Sequence, residues 1–420
     1  MELNEAKKIA RALVRPTKSE RVWLEQALGR ILAENLYADW DLPRESRASV
    51  DGFAIATSDI NTGANDGSFV FRLHEGVLAA GDTTKYKLAP GECLRIFTGA
   101  PLPENADAVV AQEETAREDG TIVLKRPLLP GEGVLSAGGD IHKNSLLLPK
   151  GTILTPTRLA LIAALGYATV SVHLQPKVAL LTTGDELREI GEPLQGPYSY
   201  CNNRYLMAWS ASLIGGKPIH LGISTDDPEL IAEQLEDVEA DVVISTGGVG
   251  HGDRDFVLTA WRLLGVNILF EEVNLIPGRR TALGMGAKQV YLGLPGSPWG
   301  AQIAFEQLAV PILLTYQGLD ASASPCVPAM LETTIRKPKG FNKVVRGTLQ
   351  QDSSKLSFRP VKKNKQSIFA ELHNSLSYIL LESHISELSA GSDVLVRFHD
   401  FPLLAFPPFG IEGAREGYYA

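Results

Sequence analysis

The sequence contains little cysteine and no hydrophobic run long enough to cross a membrane. Its three cysteines, Cys93, Cys201 and Cys326, are far apart and form no C-x-x-C pair, which argues against a disulfide framework or a structural zinc site. No stretch approaches the roughly 18 to 20 apolar residues of a membrane span. The opening residues, MELNEAKKIARALVR, also lack the apolar core of a signal peptide. We therefore expect a cytoplasmic protein without a membrane partner.

Positive charge is scarce relative to negative charge. The chain has 40 lysine and arginine residues against 49 aspartate and glutamate residues, a formal net charge of −9, so nonspecific binding to nucleic acid is not expected. A local basic pocket for a small anion is compatible with this balance. With 44% hydrophobic and 21% charged residues among 420, the composition is that of a globular protein, and its length predicts two to four domains.

The pattern of apolar residues changes along the chain. Helical spacing predicts a helix over residues 4–15, and a second helix is predicted over 19–35. Between residues 49 and 126, short apolar runs alternate with turn residues, which is typical of a β-rich domain. From 176 to 318, strands alternate with helices, which predicts a parallel sheet covered on both faces. After residue 321 the pattern indicates a small all-β domain.

Two helix starts are predicted within the α/β region. Asn202 or Asn203 is expected to cap the first helix. The second is expected to begin with a capping box of Asp226 and Glu229, with Pro228 near its first position.

Three glycine-containing loops follow predicted strands of this region. Ligands of open parallel sheets bind beyond the carboxyl ends of the strands, where glycine lets backbone N–H groups approach a ligand and helix N-termini attract phosphate. A single loop of this kind is more often only a turn, but three in one sheet favour a site for an anionic, phosphate-bearing ligand. The loops span residues 182–186, 246–253 and 295–298.

Carboxylates on these loops are candidate metal ligands. Mg²⁺ prefers carboxylate oxygens and usually bridges them to substrate phosphates. We therefore predict a magnesium site formed by Glu186, Asp253 and Asp255. For the two aspartates, capping of the following helix is the alternative.

Two arginines and one cysteine are further candidates. Arg279 and Arg280 follow Pro277-Gly278 and are suited to pair with phosphate or carboxylate; the alternative is two solvated surface side chains. Cys201 precedes a predicted helix start, a position that favours a reactive thiol, although a small, tolerated side chain is the alternative.

The motifs, in this order, resemble those of the MoeA/gephyrin E-domain family, the molybdopterin molybdenumtransferases. The resemblance covers nearly the whole chain, and the combination is specific although each piece is not. The matching segments are Asp51-Gly52-Phe53-Ala54, RIFTGAPLP (95–103), ADAVV (106–110) with Glu113, GGDI (138–141), Thr183-Gly184-Asp185-Glu186-Leu187, Asn203-Arg204, Gly247-Gly248-Val249, Gly252-Asp253, Asp255, and LPG (294–296) with Pro298.

The resemblance implies an α/β multidomain fold and an elongated homodimer. A central parallel α/β domain of the MoaB/MogA type would occupy residues 173–320, and a β-rich domain residues 44–134. A discontinuous helical linker domain would combine residues 1–43 and 135–172. A small C-terminal β-barrel domain would occupy residues 321–420.

The resemblance also implies an activity. Members insert molybdenum from molybdate into adenylylated molybdopterin, with Mg²⁺, and release AMP at a site between two subunits. Other molybdopterin-handling proteins and molybdoenzymes are the implied partners. The implied catalytic residues are Asp51 and Thr98, which would reach across the dimer, with Glu186, Asp255 and Cys201. The implied substrate-binding residues are Thr183, Gly184, Asp185, Asn203, Gly247, Gly248, Gly250, Asp253, Arg279, Arg280, Pro295, Gly296 and Ser297.

Several positions depart from the family pattern, and most departures alter charge. Cys201 stands where the family has its catalytic aspartate, and Gly250 replaces a serine. In the family's lysine-bearing loop, Glu272 and Ile276 replace two lysines and Arg279 replaces the third. These changes rewrite the electrostatics that would hold molybdate, and Arg279, Arg280, Arg254 and His251 are the candidates for compensation.

The chain is therefore open to three hypotheses. The first is a working insertase with shifted ligands, supported by the retained glycines and carboxylates. The second is a diverged, non-catalytic protein that binds, carries or senses a molybdopterin species, supported by the lost lysines. The third is an insertase for a modified substrate, with the Cys201 thiolate as a soft metal ligand.

Overall fold

The structure is a computed structural model that describes residues 1–62, 69–124, 126–250, 256–319, 326–352, 355–361 and 376–399. The chain divides into two compact units. The first contains Met1–Glu34, Lys150–Ala160 and Ala168–Ala420, and the second contains Asn35–Pro149 and Leu161–Tyr167. This division is coarser than the four expected domains, whose boundaries stay a prediction.

Seven α-helices are described, and all are short. In the described part of the chain, none is long and apolar enough to cross a membrane. The helices are α1 (Leu3–Ala12), α2 (Pro156–Ala164), α3 (Asn203–Leu213), α4 (Pro228–Glu236), α5 (Phe256–Leu263), α6 (Pro298–Ala304) and α7 (Val310–Tyr316), with a π-helical turn, Phe305–Ala309, between the last two. Short 3-10 turns occur at Leu24–Gln26, Thr57–Thr62 and Gln112–Glu114.

The predicted second helix over residues 19–35 is wrong. The chain instead forms strand β1 (Ser19–Trp23), which pairs antiparallel with β12 (Thr169–His173). Arg30 then donates from Nη2 to the His173 carbonyl at 2.8 Å and to Glu20 Oε1 at 2.5 Å. Strand β12 and His173 are remote in sequence from this segment, so tertiary pairing overrides the local helical pattern.

The six-stranded sheet of the first unit is largely parallel, as predicted. Its strands run in the order β16 (Lys217–Ser224), β13 (Lys177–Thr183), β17 (Val242–Thr246), β21 (Val290–Leu294), β20 (Ala282–Met285) and β18 (Asn267–Phe270). The first four are parallel to one another. The sequence pattern missed β20, which lies antiparallel between its two neighbours.

Both faces of this sheet are covered, because side chains alternate along each buried strand. On one face, Val178 and Leu180 pack in a core with residues of α1, α3, α6 and α7. On the other face, Ala179 and Leu181 pack with residues of α4 and α5. The sheet edge formed by the carboxyl ends of the strands is therefore supported from both sides.

A closed β-barrel follows in the same unit. Its five strands are β22 (Cys326–Leu331), β24 (Asn342–Asp352), β25 (Lys355–Pro360), β26 (Ser377–Leu381) and β28 (Asp393–Phe398). Pairing runs in the order β24, β25, β22, β28, β26 and back to β24, which closes the ring. The C-terminal β prediction is confirmed. Accessory strands are β19 (Leu275–Ile276), β23 (Ile335–Arg336) and β27 (Glu387–Leu388), together with the ribbon of β14 (Leu187–Arg188) and β15 (Ser199–Tyr200).

The second unit is β-rich, as predicted. Its six-stranded sheet runs in the order β7 (Ala108–Ala111), β4 (Gly52–Ile55), β6 (Glu92–Ile96), β5 (Phe69–Leu78), β9 (Thr121–Leu124) and β8 (Thr115–Glu118). Two short ribbons join β2 (Leu36–Tyr37) to β11 (Leu146–Leu148) and β3 (Arg47–Ala48) to β10 (Val134–Leu135).

Candidate functional site

The three predicted glycine loops converge at one edge of the parallel sheet. They follow β13, β17 and β21, which are direct neighbours in the sheet, and they enclose a cavity of about 520 Å³. The predicted site residues that line it are Thr183, Gly184, Glu186, Cys201, Asn203, Gly247, Gly248, Gly250, Arg280, Pro295 and Gly296. The expectation that the loops meet around a cavity is confirmed.

Glycine at positions 247 and 248 is required by close backbone approach. Both residues have positive φ, +89° and +61°. A Cβ at Gly247 would lie 2.6 Å from the Thr183 carbonyl oxygen, and one at Gly296 would lie 3.7 Å from the Gly247 Cα. Gly247 therefore lets the ends of the neighbouring strands β13 and β17 approach closely beside the cavity.

The backbone N–H groups of the loops are not all available for a ligand. Gly184 donates its N–H to the Ser224 carbonyl at 3.2 Å, and Gly247 donates to the Leu294 carbonyl at 3.2 Å. These two N–H groups are therefore already engaged with neighbouring strands. Within the described residues, the N–H groups of Gly248 and Gly296 have no acceptor, and both residues line the cavity, so these N–H groups are candidates for contact with an anion.

Asn203 joins the start of α3 to the loop after β21. Its side chain is buried, and Nδ2 donates to the Gly296 carbonyl at 2.7 Å. Neither Asn202 nor Asn203 caps the helix, because the residue at the cap position, Asn202, makes no side-chain capping bond. Asn203 therefore fixes the cavity wall rather than the helix end.

The start of α4 also differs from the prediction. The side chain of Asp227, not Asp226, accepts the Glu229 and Leu230 N–H groups at 3.0 and 3.2 Å, and Pro228 occupies the first turn. Asp226 instead lines the cavity. Its N–H donates to Asp185 Oδ1 at 3.2 Å, so the Asp185 carboxylate has a structural partner. Asp185 is not a lining residue.

Cys201 is a buried wall residue. It is 1% exposed and lines the cavity. Its N–H donates to the Arg188 carbonyl at 2.8 Å, which holds it at the end of the β14–β15 ribbon. The Cys201 side chain places a sulfur atom at the cavity wall where the family pattern has a carboxylate.

The ribbon is fastened by an ion pair that sequence reasoning missed. Arg204 is buried, and its Nη2 lies 2.6 Å from both carboxylate oxygens of Glu189. Tyr205 donates its hydroxyl to Glu189 Oε2 at 3.3 Å. The contact links residue 189, next to the ribbon, to the first turn of α3, and no sequence signal marks it.

The two candidate arginines have different environments. Arg279 pairs with Glu272, with Nε and Nη2 at 3.1 and 3.0 Å from Oε2, and it does not line the cavity. Arg280 does line it. Ser297 is not a lining residue either; it precedes α6, and its carbonyl accepts the Ala301 N–H at 2.9 Å.

Asp51 and Thr98, both in the second unit, contact each other. The Thr98 N–H and hydroxyl donate to Asp51 Oδ1 at 2.8 and 2.7 Å. These bonds, the backbone one first, hold the pKa of the Asp51 carboxyl below its usual value. A carboxylate kept ionised in this way is suited to accept hydrogen bonds or bind a cation.

The predicted magnesium ligands are only partly described. Asp253 and Asp255, like His251 and Arg254, lie outside the described residues. Glu186 lines the cavity, but the described part of the chain contains no group of three or more histidine, cysteine or acidic side chains that could hold a metal ion. These residues alone therefore do not build a magnesium site.

Ten lining residues were not predicted individually as site residues, although Thr182, Thr246, Val249 and Pro298 lie within the three predicted loops. Four of the other six come from the segment between β13 and α3. Only their position after a strand or beside a glycine could have signalled them. They are Thr182, Leu187, Ser199, Tyr200, Asn202, Asp226, Thr246, Val249, Phe256 and Pro298.

Two family models match the chain. The model of the MoeA N-terminal region, domains I and II, matches residues 1–166. The model of a probable molybdopterin-binding domain matches residues 179–315, the segment that contains every residue of the cavity.

Whole-length relatives agree with these models. The chain is 33% identical over 386 residues to the molybdopterin molybdenumtransferase of Bacillus subtilis, covering 90% of this chain and 89% of the relative. It is 31% identical to that of Haemophilus influenzae, covering 91% and 94%. The crystal structure of the molybdopterin biosynthesis MoeA protein of Pyrococcus horikosii superposes with a TM-score of 0.83 at 29% identity, covering 95% of this chain and 98% of that one. The chain therefore belongs to the molybdopterin molybdenumtransferase family.

Proposed function

We propose that this protein is a transferase of molybdenum cofactor biosynthesis that inserts molybdate into adenylylated molybdopterin and releases AMP. The observation that carries this proposal is the convergence of three glycine loops on one cavity of about 520 Å³. Open parallel sheets bind anionic ligands at this edge, and the volume is within the range of organic-ligand sites. Family membership supports the choice of substrate.

In this proposal the lining residues have different roles in binding the ligand. Gly248 and Gly296 present N–H groups to phosphate oxygens, and Glu186 and Cys201 form the wall beside them. Magnesium is part of the proposal, and Glu186 is its candidate ligand among the described residues. The proposal also includes a homodimer, in which Asp51 and Thr98 of the second copy complete the site; light scattering tests the dimer.

A second candidate is a carrier or sensor without turnover. The position of Cys201 favours it, because a buried thiol lines the cavity where the family pattern has its catalytic aspartate. A thiol does not supply the negative charge of that aspartate at the reacting group.

Calorimetric titration separates the two candidates. The chain is titrated with molybdopterin, its adenylylated form and AMP, and AMP release is then measured after molybdate is added. Binding followed by molybdate-dependent AMP release supports the transferase, whereas binding without release supports the carrier. The variant Cys201→Asp should raise molybdate-dependent release, and no binding of any of the three ligands would refute both candidates.

A further inference from the structure

We infer that Arg280 is the side chain that holds the anionic group of the ligand, and that its neighbour Arg279 takes no part. A cavity that receives a phosphate-bearing ligand needs a cation or many free N–H groups to compensate the negative charge of the phosphate. The inference rests on the proposed function in one respect, that the cavity is the ligand site.

Arg279 forms an ion pair with the carboxylate of Glu272. Its Nε and Nη2 lie 3.1 and 3.0 Å from Glu272 Oε2. The Arg279 side chain is 58% exposed and the Glu272 side chain 28%, so the pair lies at the surface with its carboxylate partly shielded. Although Glu272 and Arg279 both depart from the lysine-bearing family loop, together they add no net charge beside the cavity.

Arg280 is in the opposite situation. Its side chain borders the cavity, and within the residues that the structure describes it makes no hydrogen bond or ion pair. It is also the only lysine, arginine or histidine among the described lining residues, which include two carboxylates, Glu186 and Asp226. A phosphate entering this cavity therefore meets one guanidinium that has no partner among the described residues.

The chemistry of that group defines the ligand class. A guanidinium is planar and presents two parallel N–H donors to a pair of oxygens, as found on phosphate or another tetrahedral oxyanion. Gly248 and Gly296, whose N–H groups have no acceptor among the described residues, line the same cavity. We expect the site to distinguish an oxyanion-bearing ligand from its neutral analogue, with Arg280 as the specificity-determining residue.

The test compares two adjacent arginines. Binding of AMP to the full chain is measured by calorimetry at low and high salt for wild type, Arg280→Gln, Arg280→Lys and Arg279→Gln. Losing one charge-assisted contact should weaken AMP binding about tenfold in Arg280→Gln and flatten its salt dependence. Arg280→Lys, which keeps the charge but not the fork, should lose about threefold. Arg279→Gln should stay within about twofold of wild type.

Three results would overturn the inference: no AMP binding by wild type, unchanged binding by Arg280→Gln, or an equal loss in Arg279→Gln. Since Arg280 is exposed, its variants should melt at the wild-type temperature, which checks that they are folded. Failure of the inference is distinguishable from failure of the proposed function. Arg280-dependent AMP binding without molybdate-dependent turnover refutes only the function, and turnover with unchanged Arg280→Gln binding refutes only the inference.

Discussion

Asn203 and Asn202 are adjacent, chemically identical side chains in different environments. Asn203 is buried and donates to the Gly296 carbonyl at 2.7 Å, 93 positions away in sequence. Asn202 is exposed at the cavity wall. Local sequence assigned both to the same capping role, since neither shows its long-range partner before the chain is folded.

Replacing Asn203 should cost stability that replacing Asn202 does not. Asn203→Ala removes the buried amide that donates to the Gly296 carbonyl, so the free energy of unfolding should fall by about 1–3 kcal/mol. Asn202→Ala should change it by less than about 0.5 kcal/mol. Urea unfolding of both variants checks this; equal losses would show that the bond to Gly296 does not stabilise the wall.

The glycines of the cavity loops are the residues at which sequence reasoning succeeded. Positive φ and close approach at Gly247 and Gly248 are demands that glycine alone meets without strain. Local composition was therefore enough to predict the loops. It could not predict which N–H groups remain available for a ligand, because the acceptors of the Gly184 and Gly247 N–H groups lie on other strands.

The ribbon of β14 and β15 is linked to α3 by one ion pair, between Glu189 and Arg204. Glu189 follows β14, and Arg204 lies in the first turn of α3, so their ion pair holds the ribbon against the helix. Breaking one side of a buried pair leaves a charge without compensation. We expect this contact to set the position of Glu186 and Cys201 at the cavity.

Glu189→Gln should loosen the ribbon while the sheet stays intact. Amide hydrogen exchange should accelerate about tenfold or more for residues 186–201, because local opening becomes easier, and remain unchanged in β13 and β17. The control Glu233→Gln alters an exposed carboxylate on α4 and should leave both regions as in wild type. Uniform acceleration along the chain, or none, would contradict a local fastening role.

Strand β20 and the segment after residue 18 are the elements that local patterns misread. β20 is a four-residue strand between antiparallel neighbours, too short to give a periodic signal. β1 pairs with β12, about 150 residues later, and this pairing holds the segment as a strand instead of the predicted helix. Buried strands such as β13 and β17 were predicted correctly because their apolar runs are continuous.

Across the first unit, α1 is anchored by a partly buried lysine. Lys7 donates to Gln307 Oε1, and Gln307 in turn donates to the Tyr378 hydroxyl of the barrel at 3.0 Å. Burial, and then the positive charges of Arg397 and Arg11, lower the pKa of Lys7 from 10.5 to about 8. This chain of contacts joins the N-terminal helix, the π-helical turn and the barrel.

This lowered pKa predicts how stability responds to alkaline pH. Between pH 8 and 10.5 the unfolded chain retains the Lys7 proton that the folded chain has lost, so the free energy of unfolding rises with pH there. Below pH 8 both states are protonated, and the cost of the buried charge is fully present. Lys7→Met should remove that cost, which is on the order of 2 kcal/mol after allowance for partial exposure.

The measurement is urea unfolding from pH 7 to 10.5 of wild type, Lys7→Met and the exposed neighbour variant Lys8→Met. Lys7→Met should be more stable at pH 7, and its advantage should shrink as pH rises through 8. Lys8→Met should follow wild type throughout. An advantage of Lys7→Met that is independent of pH would mean that packing, not charge, is responsible.

By itself the sequence determined the classes of structure along the chain, the glycine loops that follow the strands, and the family to which their order belongs. These are properties of local composition and motif order, which can be predicted without knowing which residues contact each other. Only the tertiary structure decided that Asn203 donates to the Gly296 carbonyl, that Glu272 forms an ion pair with Arg279, and that Arg280 borders the cavity. Those outcomes depend on which distant residues meet when three strand ends are brought side by side, and spacing along the chain does not encode that choice.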